Sequence, residues 1–451
     1  MIIIHYFLGF PPFRSGGLTK YAFDLMKAQA DDGNRVIGLW PGRMKINHKK
    51  VSIKICSPIE NIDNHEIINP LPVPLDEGII NIDAYIKECD KQVYIEYLKK
   101  VNPHVVHIHT LMGLHMEFLE ACQELRIRTV FTSHDYFGLC PKVTLFYGNT
   151  ICDTSFTCDK CPVCNKTALS MKKIMILQSP FYRFVKDFSL IKKMRKMHRT
   201  AYFKETHVQD NCDVSDRSLI DQYIKLRQYY INCYKKIDLI HFNSTVASEV
   251  FSKYFTPKKS IIMPITHKNI EIKHKYLRDI KQTQNEKSIL KILYLAPAKP
   301  YKGYEILKKA LDDLWINEFK NFRIITFGAI QDIPEYMINY PNGYRYDQLK
   351  EIFDAADILV APSVWYETFG FTVLEALSNG VPVIVSDHVG AKDIINEDGI
   401  IVEAGNVESL KKAIKSLTLD QLNKLKMEAQ NFNYQSWNDF LHMNYQLYLE
   451  K

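Results

Sequence analysis

The stretch from Trp365 to Asp387, WYETFGFTVLEALSNGVPVIVSD, carries two glutamates, Glu367 and Glu375, with seven residues between them. Glu367 falls in a loop ahead of Phe369, Gly370 and Phe371. Apolar residues at helical spacing predict a short helix from Thr372 to Asn379, stopped by Gly380 before the buried strand VPVIVS. The first N–H groups of a helix have no partner within it and lie at the positive end of its dipole, so this helix start suits a diphosphate. A carboxylate on either side of that start can accept hydrogen bonds from sugar hydroxyls. The chemistry these residues suit is the holding of a sugar carried on a diphosphate.

Other residues point to the same kind of ligand. Gly16-Gly17 follow the first strand and open an amphipathic helix that ends at Gly33; without side chains they let the backbone approach a ligand closely. In HVVHIHT, strand alternation puts His107 and His109 on one face, with His109 at the strand's carboxyl end, where open α/β sheets bind ligands. The following strand, TVFTSHDYFGLCP, ends likewise at His134-Asp135, and ILVAPSVWYE ends at Ser363. His109 and Asp135 are acceptor-side candidates. Five of the ten cysteines cluster: Cys140, Cys152, Cys158, Cys161 and Cys164. Cys-x2-Cys-x2-Cys suits a structural zinc held by thiolates, with Cys140 or Cys152 as the fourth ligand; the expected set is Cys152, Cys158, Cys161 and Cys164.

These groups need a scaffold. Apolar runs such as IIIHYF, RVIGLW, VSIKIC, HVVHIHT, RTVFTSH, DLIHFNS and SIIMPI alternate with helical patterns in the first part. KILYLAP, FRIITFG, ADILVAPS, VPVIVSD and GIIVEAG follow in the second. Continuous apolar strands joined by helices predict parallel sheets covered on both faces, an α/β fold. A length of 451 residues exceeds what one core fills, so two domains are expected. The expected division is an N-terminal domain over 1–265, with a Cys-rich and basic helical insertion at about 138–230, and a polar linker over 266–288. A C-terminal domain over 289–430 and a final helix over 431–451, crossing back to the first domain, complete it. A dinucleotide oxidoreductase would need Gly-x-Gly-x-x-Gly after the first strand, and only Gly16-Gly17 stand there.

The composition, 46% hydrophobic and 24% charged with a net charge of +7, is ordinary for a globular protein. Much of the basic excess lies between Lys172 and Lys204, where ten Lys and Arg residues face Asp187 alone. Leu177, Phe181, Phe184, Phe188, Ile191 and Met194 recur there at three- to four-residue spacing. A basic amphipathic helix with aromatic residues suits an anionic membrane surface, and nucleic acid is not expected as a partner. The N-terminal MIIIHYFLGFPPF lacks a basic leader and reads as a buried strand, so the expected location is cytoplasmic, peripheral on the inner face of the membrane.

Glu-x7-Glu embedded in APS-x3-E-x-FG-x3-LEA-x3-G-x-PVI-x-S resembles the donor site of retaining GT-B glycosyltransferases of family 4. The resemblance implies two doubly wound Rossmann-like domains facing each other across a cleft, and metal-independent transfer from a nucleoside-diphosphate sugar to a glycan or polyprenyl-linked acceptor in surface polysaccharide or capsule assembly. It implies that Glu375 holds the ribose, Glu367 the transferred sugar, and that Gly16-Gly17 meet the donor's phosphate. His134 matches a family histidine close to the donor sugar. KILYLAPAKPYKGYEIL matches strand, G-R-L-x-P-x-K-G, helix: Lys302-Gly303 take the K-G positions, and Lys302 is expected on the diphosphate. The family's arginine position falls on Pro297, and Lys299 is the expected substitute. The stretch NGYRYDQL is where the base would be met. The competing expectations are a sugar phosphorylase or a sucrose- or trehalose-type synthase on the same fold, or a non-catalytic nucleotide-sugar-binding scaffold.

Overall fold

The structure is a computed structural model that describes residues 1–14, 16–45, 50–74, 78–152, 157–186, 188, 191, 217–270, 289–317 and 319–449. The chain divides into two compact units. The first holds Met1–Asn243, Ser248–Met263 and Leu441–Lys451; the second holds Ser244–Ala247 and Pro264–Phe440.

In the first unit the strands are β1 (Ile2–Tyr6), β2 (Arg35–Pro41), β3 (Ser52–Ile59), β4 (Ile62–Ile68), β5 (Val105–Ile108) and β6 (Arg128–Thr132). A small hairpin, β7 (Phe146–Tyr147) with β8 (Thr150–Ile151), stands apart. The unit closes with β9 (Leu239–Phe242) and β10 (Ser260–Ile262). The main sheet runs β10-β9-β6-β5-β1-β2-β4-β3. Its pairs are parallel except β3 with β4, a departure from the expected all-parallel sheet. The cause is local: Glu60 and Asn61 adopt positive φ (46° and 65°) and turn the chain straight back, so the run NIDNHEII pairs with the preceding strand and needs no crossover helix.

The order reverses between β1 and β5, which makes that pair the switch point of a doubly wound sheet. The helix Gly17–Asp31 follows β1 and buries Tyr21, Ala22, Leu25, Met26 and Gln29. Most of these are apolar residues at helical spacing, as expected for a helix lying on a sheet. The helix Trp437–Leu449 gives its residues from Leu441 onward to this unit, where Leu447 and Tyr448 are buried.

The second unit holds β11 (Leu290–Tyr294), β12 (Phe322–Phe327), β13 (Met337–Tyr340), β14 (Ile358–Ala361), β15 (Val383–Ser386) and β16 (Gly399–Val402). They form one parallel sheet in the order β13-β12-β11-β14-β15-β16. Its core packs Ile292, Tyr294, Ile324, Ile358 and Ile384 of the strands against Leu307, Leu311 and Leu314 of the helix Tyr304–Ile316. Here the order reverses between β11 and β14, so loops leaving those two strands meet at the carboxyl edge. Residues 271–288 of the expected linker and 192–216 of the basic insertion, Met194 included, lie outside the described residues.

Candidate functional site

The switch point of the second sheet brings the sequence-predicted groups together. After β11 the chain makes a 3-10 turn, Pro300–Lys302, and enters the next helix through Gly303 at φ 76°. A Cβ at Gly303 would lie 1.8 Å from the Pro362 carbonyl oxygen, so the lysine turn rests on the end of β14 only because residue 303 lacks a side chain. Lys302 thereby reaches Glu367, Nζ to Oε1 2.7 Å, while the Ser363 hydroxyl donates to Oε2 at 2.8 Å. The ammonium also lies 5.0 Å from the centre of the Trp365 ring. Burial pushes the Glu367 carboxyl up, but the Lys302 charge, with the hydrogen bonds from Lys302 and Ser363, outweighs it and holds the group below the usual carboxylate range. The loop itself is pinned by backbone bonds from Glu367 N–H to the His388 carbonyl (2.9 Å) and from Gly390 N–H to the Glu367 carbonyl (2.9 Å).

Helix Phe371–Ser378 starts one residue before the expected Thr372, behind Gly370 at φ 104° and ψ 70°. A Cβ at Gly370 would stand 3.7 Å from the Glu367 carboxyl carbon, so that carboxylate lies over the helix start. Phe369 is buried, its ring 5.5 Å from that of Phe371. Glu375 is buried in the same helix, and its Oε1 lies 3.2 Å from Nε2 of His267. The Phe371 ring packs on His267 at 5.2 Å, and the Tyr346 hydroxyl lies 3.5 Å from the same imidazole nitrogen. Tyr344 is close too: burial and then the Glu375 charge push its hydroxyl up to about 12. NGYRYDQL therefore borders Glu375.

His267 was missed. The sequence reading places it in the polar linker, whereas the structure buries it at 3% exposure on a carboxylate 108 positions away. Lys299, expected on the phosphate, has its Nζ 2.6 Å from the Tyr301 hydroxyl and 5.1 Å from that ring. Pro297, at the family's arginine position, offers its carbonyl to the Tyr294 hydroxyl at 3.1 Å.

In the first unit, Gly16 caps the helix Gly17–Asp31 at φ 117°, and a Cβ there would meet nothing within 4 Å. His109 and His134 stand just past β5 and β6, Nδ1 to Nε2 3.4 Å, with the Tyr21 ring against both. Behind them lie His5 on β1, His107 on β5 and His241 on β9, all fully buried. His5 and His107 are direct partners across the parallel ladder, as are Thr132 and His241, which puts each pair on one face. The signal was present in the sequence: IIIHYF, HVVHIHT and DLIHFNS each carry a histidine inside an apolar run, and a buried polar ring must find a partner. Burial holds all of these imidazoles low, His5 and His241 at about 4 and His134 at about 3, so they are neutral. Asp135 is pushed up to about 6 by burial, against hydrogen bonds from the Phe137 N–H (2.9 Å) and the Thr110 hydroxyl (3.4 Å).

Cys158 and Cys161 share a thiol hydrogen bond beside Arg227, whose Nη2 lies 3.9 Å from the Cys161 sulfur. Among the described residues, ligand atoms of three metal-binding side chains gather within 4.8 Å only at His5, His107 and His109. As they stand, the thiols of Cys152 and Cys164 do not close on that pair. In the basic segment, Ile176, Phe181, Phe184 and Phe188 are exposed, at 59%, 72%, 75% and 54%. No helix among the described residues is long and apolar enough to cross a membrane.

Comparison with known proteins defines the class. Anabaena HepE, solved in complex with UDP and glucose, superposes over 99% of both chains with a TM-score of 0.54 at 14% identity. Sucrose-phosphate synthase from Thermosynechococcus elongatus does so over 99% of this chain and 98% of its own, with a TM-score of 0.55 and 14% identity. Such likeness shows the fold, which is GT-B.

Residues 277–435 match the model for "Glycosyl transferases group 1", and residues 15–150 that for "Glycosyltransferase Family 4". Each match covers about a third of the chain, and together they support a likeness to the group 1 glycosyltransferases. An uncharacterized glycosyltransferase of Methanocaldococcus jannaschii is 30% identical over 204 residues, which is 40% of this chain and 50% of that protein. The chain spans half or less of the length of the curated relatives it matches first.

Proposed function

We propose that this protein is a retaining glycosyltransferase that moves a hexosyl group from a nucleoside-diphosphate sugar to a glycan or polyprenyl-linked acceptor, in bacterial surface-polysaccharide assembly. The observation that carries the reading is the meeting of Lys302, Glu367 and Ser363 over the start of helix Phe371–Ser378, at the switch point of the second sheet. A leaving diphosphate needs positive charge, and Lys302 with the helix N–H groups supplies it, a contribution of about 3–4 kcal/mol per well-placed donor. Lys302 is paired with Glu367; a bound diphosphate shares that ammonium, leaving Glu367 to accept from sugar hydroxyls. Glu375, oriented by His267, receives the ribose hydroxyls, with Tyr346 and Tyr344 beside the base. The reading draws support from HepE, which was solved with UDP and glucose on the same fold.

Two further expectations belong to this proposal. The exposed Ile176, Phe181, Phe184 and Phe188, next to Lys172, Lys173 and Lys186, dock the protein on an anionic membrane surface where a lipid-linked acceptor resides. A structural zinc is proposed for the insertion alone, with Cys152 and Cys164 turning in to join Cys158 and Cys161. Elemental analysis returning about one zinc per chain supports it, and none removes it.

The test is a panel of UDP-, ADP- and GDP-sugars, read by thermal shift and by release of free nucleoside diphosphate. One nucleotide raising the melting temperature, with slow diphosphate release from its sugar, is the expected result. Transfer from a sugar phosphate without nucleotide would point to a phosphorylase. Tight nucleotide binding with no release from any donor would leave a binding scaffold.

A further inference from the structure

Five histidines of the first unit, His5, His107, His109, His134 and His241, belong to one continuous hydrogen-bonded chain whose direction is forced from its inner end. The Met263 carbonyl can only accept, so His241, 2.6 Å away, donates from Nε2. A neutral imidazole carries a single N–H, which leaves His241 Nδ1 as an acceptor for the Thr132 hydroxyl at 3.0 Å. With that proton used, Thr132 must accept from His107 Nε2–H at 2.7 Å. His107 Nδ1 is then bare and takes the Tyr448 hydroxyl proton at 2.8 Å. The Tyr448 oxygen in turn accepts from the Gln29 amide N–H at 3.0 Å, which fixes the orientation of that amide. The Gln29 carbonyl accepts from His5 Nε2–H at 2.7 Å, so His5 Nδ1 is an acceptor for His109 Nε2–H at 3.0 Å. The last link, 3.4 Å, runs from His134 Nε2–H to His109 Nδ1.

We infer that this chain sets the tautomer of His134, keeping its proton on Nε2 and presenting Nδ1 as a hydrogen-bond acceptor at the carboxyl end of β6. Any group that meets Nδ1, whether of this chain or of a ligand, must donate to it, as a hydroxyl can and a phosphate oxygen cannot. His5, Gln29, Tyr448, His107, Thr132 and His241 are positioning residues, and Tyr448 is the link that ties the site side of the chain to its carbonyl anchor. The same geometry accounts for the cluster of His5, His107 and His109 without a metal, since every nitrogen of the three already has a partner. The inference deepens the proposed function and rests on it only in taking the hydroxyl to be a sugar's.

The experiment is a long-range 1H–15N correlation spectrum of the full chain labelled with 15N-histidine, at pH 7 and without any donor, assigned by single His→Gln variants. In the wild type, all five imidazoles are expected as Nε2–H tautomers. In Tyr448→Phe, His241 and His107 keep that tautomer because their anchor is intact, while His5, His109 and His134 become mixtures. Gln29→Leu, which cuts the chain one link further out, is expected to give the same split. A wild-type His134 proton on Nδ1, or both variants leaving all five tautomers unchanged, would overturn the inference. Metal-type nitrogen shifts at His5, His107 and His109 themselves that disappear on chelation would show the cluster holding a metal, with the same consequence. Because no sugar nucleotide enters the measurement, a failed transfer assay and a failed tautomer assignment are separate results.

Discussion

Replacing Lys302 by methionine removes the charge beside Glu367 while keeping most of the side chain's volume. The two groups lie 2.7 Å apart with side chains only 17% and 19% exposed. That places the pair between the surface limit, where such bridges contribute about 0–1 kcal/mol, and the dry limit, where an orphaned charge costs about 3–5 kcal/mol. A loss of about 2–4 kcal/mol at pH 7 follows, which for a unit of this size lowers its melting temperature by on the order of 5–10 °C. The loss has a definite pH dependence. In the wild type the Glu367 carboxyl is held low, so the stability it contributes is present above the unfolded carboxylate value of about 4.3 and disappears as pH falls through its lower folded value. In K302M burial prevails and raises the folded value above the unfolded one, so the penalty is full at neutral pH and fades as the carboxyl protonates. The melting-temperature gap between wild type and K302M should therefore be widest at neutral pH and above and shrink as pH falls toward 4.5, measured by calorimetry without ligand. K302M/E367Q should recover much of the loss at pH 8. A gap that stays constant with pH, together with additive effects in the double variant, would refute the electrostatic account.

Glu375→Gln removes the acceptor proposed for the ribose and should weaken the preferred nucleotide roughly ten- to hundredfold, the range for a hydrogen bond to a charged group of about 1.5–3 kcal/mol. His267→Phe should weaken it less, through lost orientation of Glu375; isothermal titration checks both, and unchanged affinity in E375Q would remove the assignment. Gly303→Ala should cost more than about 2 kcal/mol, because its positive φ and the Pro362 carbonyl 1.8 Å from the new Cβ cannot both be accommodated. Urea denaturation reads that cost, and a neutral result would mean that the lysine turn is not fixed by this contact. Replacing Phe181, Phe184 and Phe188 together by serine should abolish co-sedimentation with phosphatidylglycerol vesicles, since each apolar side chain buried in lipid contributes about 1.5–3 kcal/mol. Melting temperature should be unaffected, as these rings are exposed.

Much of this was legible in the linear chain. Apolar runs bounded by Gly, Pro and polar residues marked twelve of the sixteen strands described, because burial on both faces of a parallel sheet leaves a continuous signature. The helix behind Gly370, with Glu367 ahead of it and Glu375 within it, was placed to within one residue, because caps and helical periodicity are local. The tight return from β3 to β4 escaped, because its antiparallel pairing depends on positive φ at Glu60 and Asn61, which no apolar pattern announces.

What the sequence determined by itself was the set of chemical groups and the elements that carry them. Which groups meet was decided by the tertiary structure. Lys302 finds Glu367 because β11 and β14 are neighbours at the point where the strand order reverses. His267 leaves its apparent linker for Glu375, and Tyr448 joins His107 to Gln29 across more than 300 positions. Alternation and capping are set within a few residues of each other, whereas strand order is settled by the packing of the whole sheet. A buried polar group takes its partner from that packing.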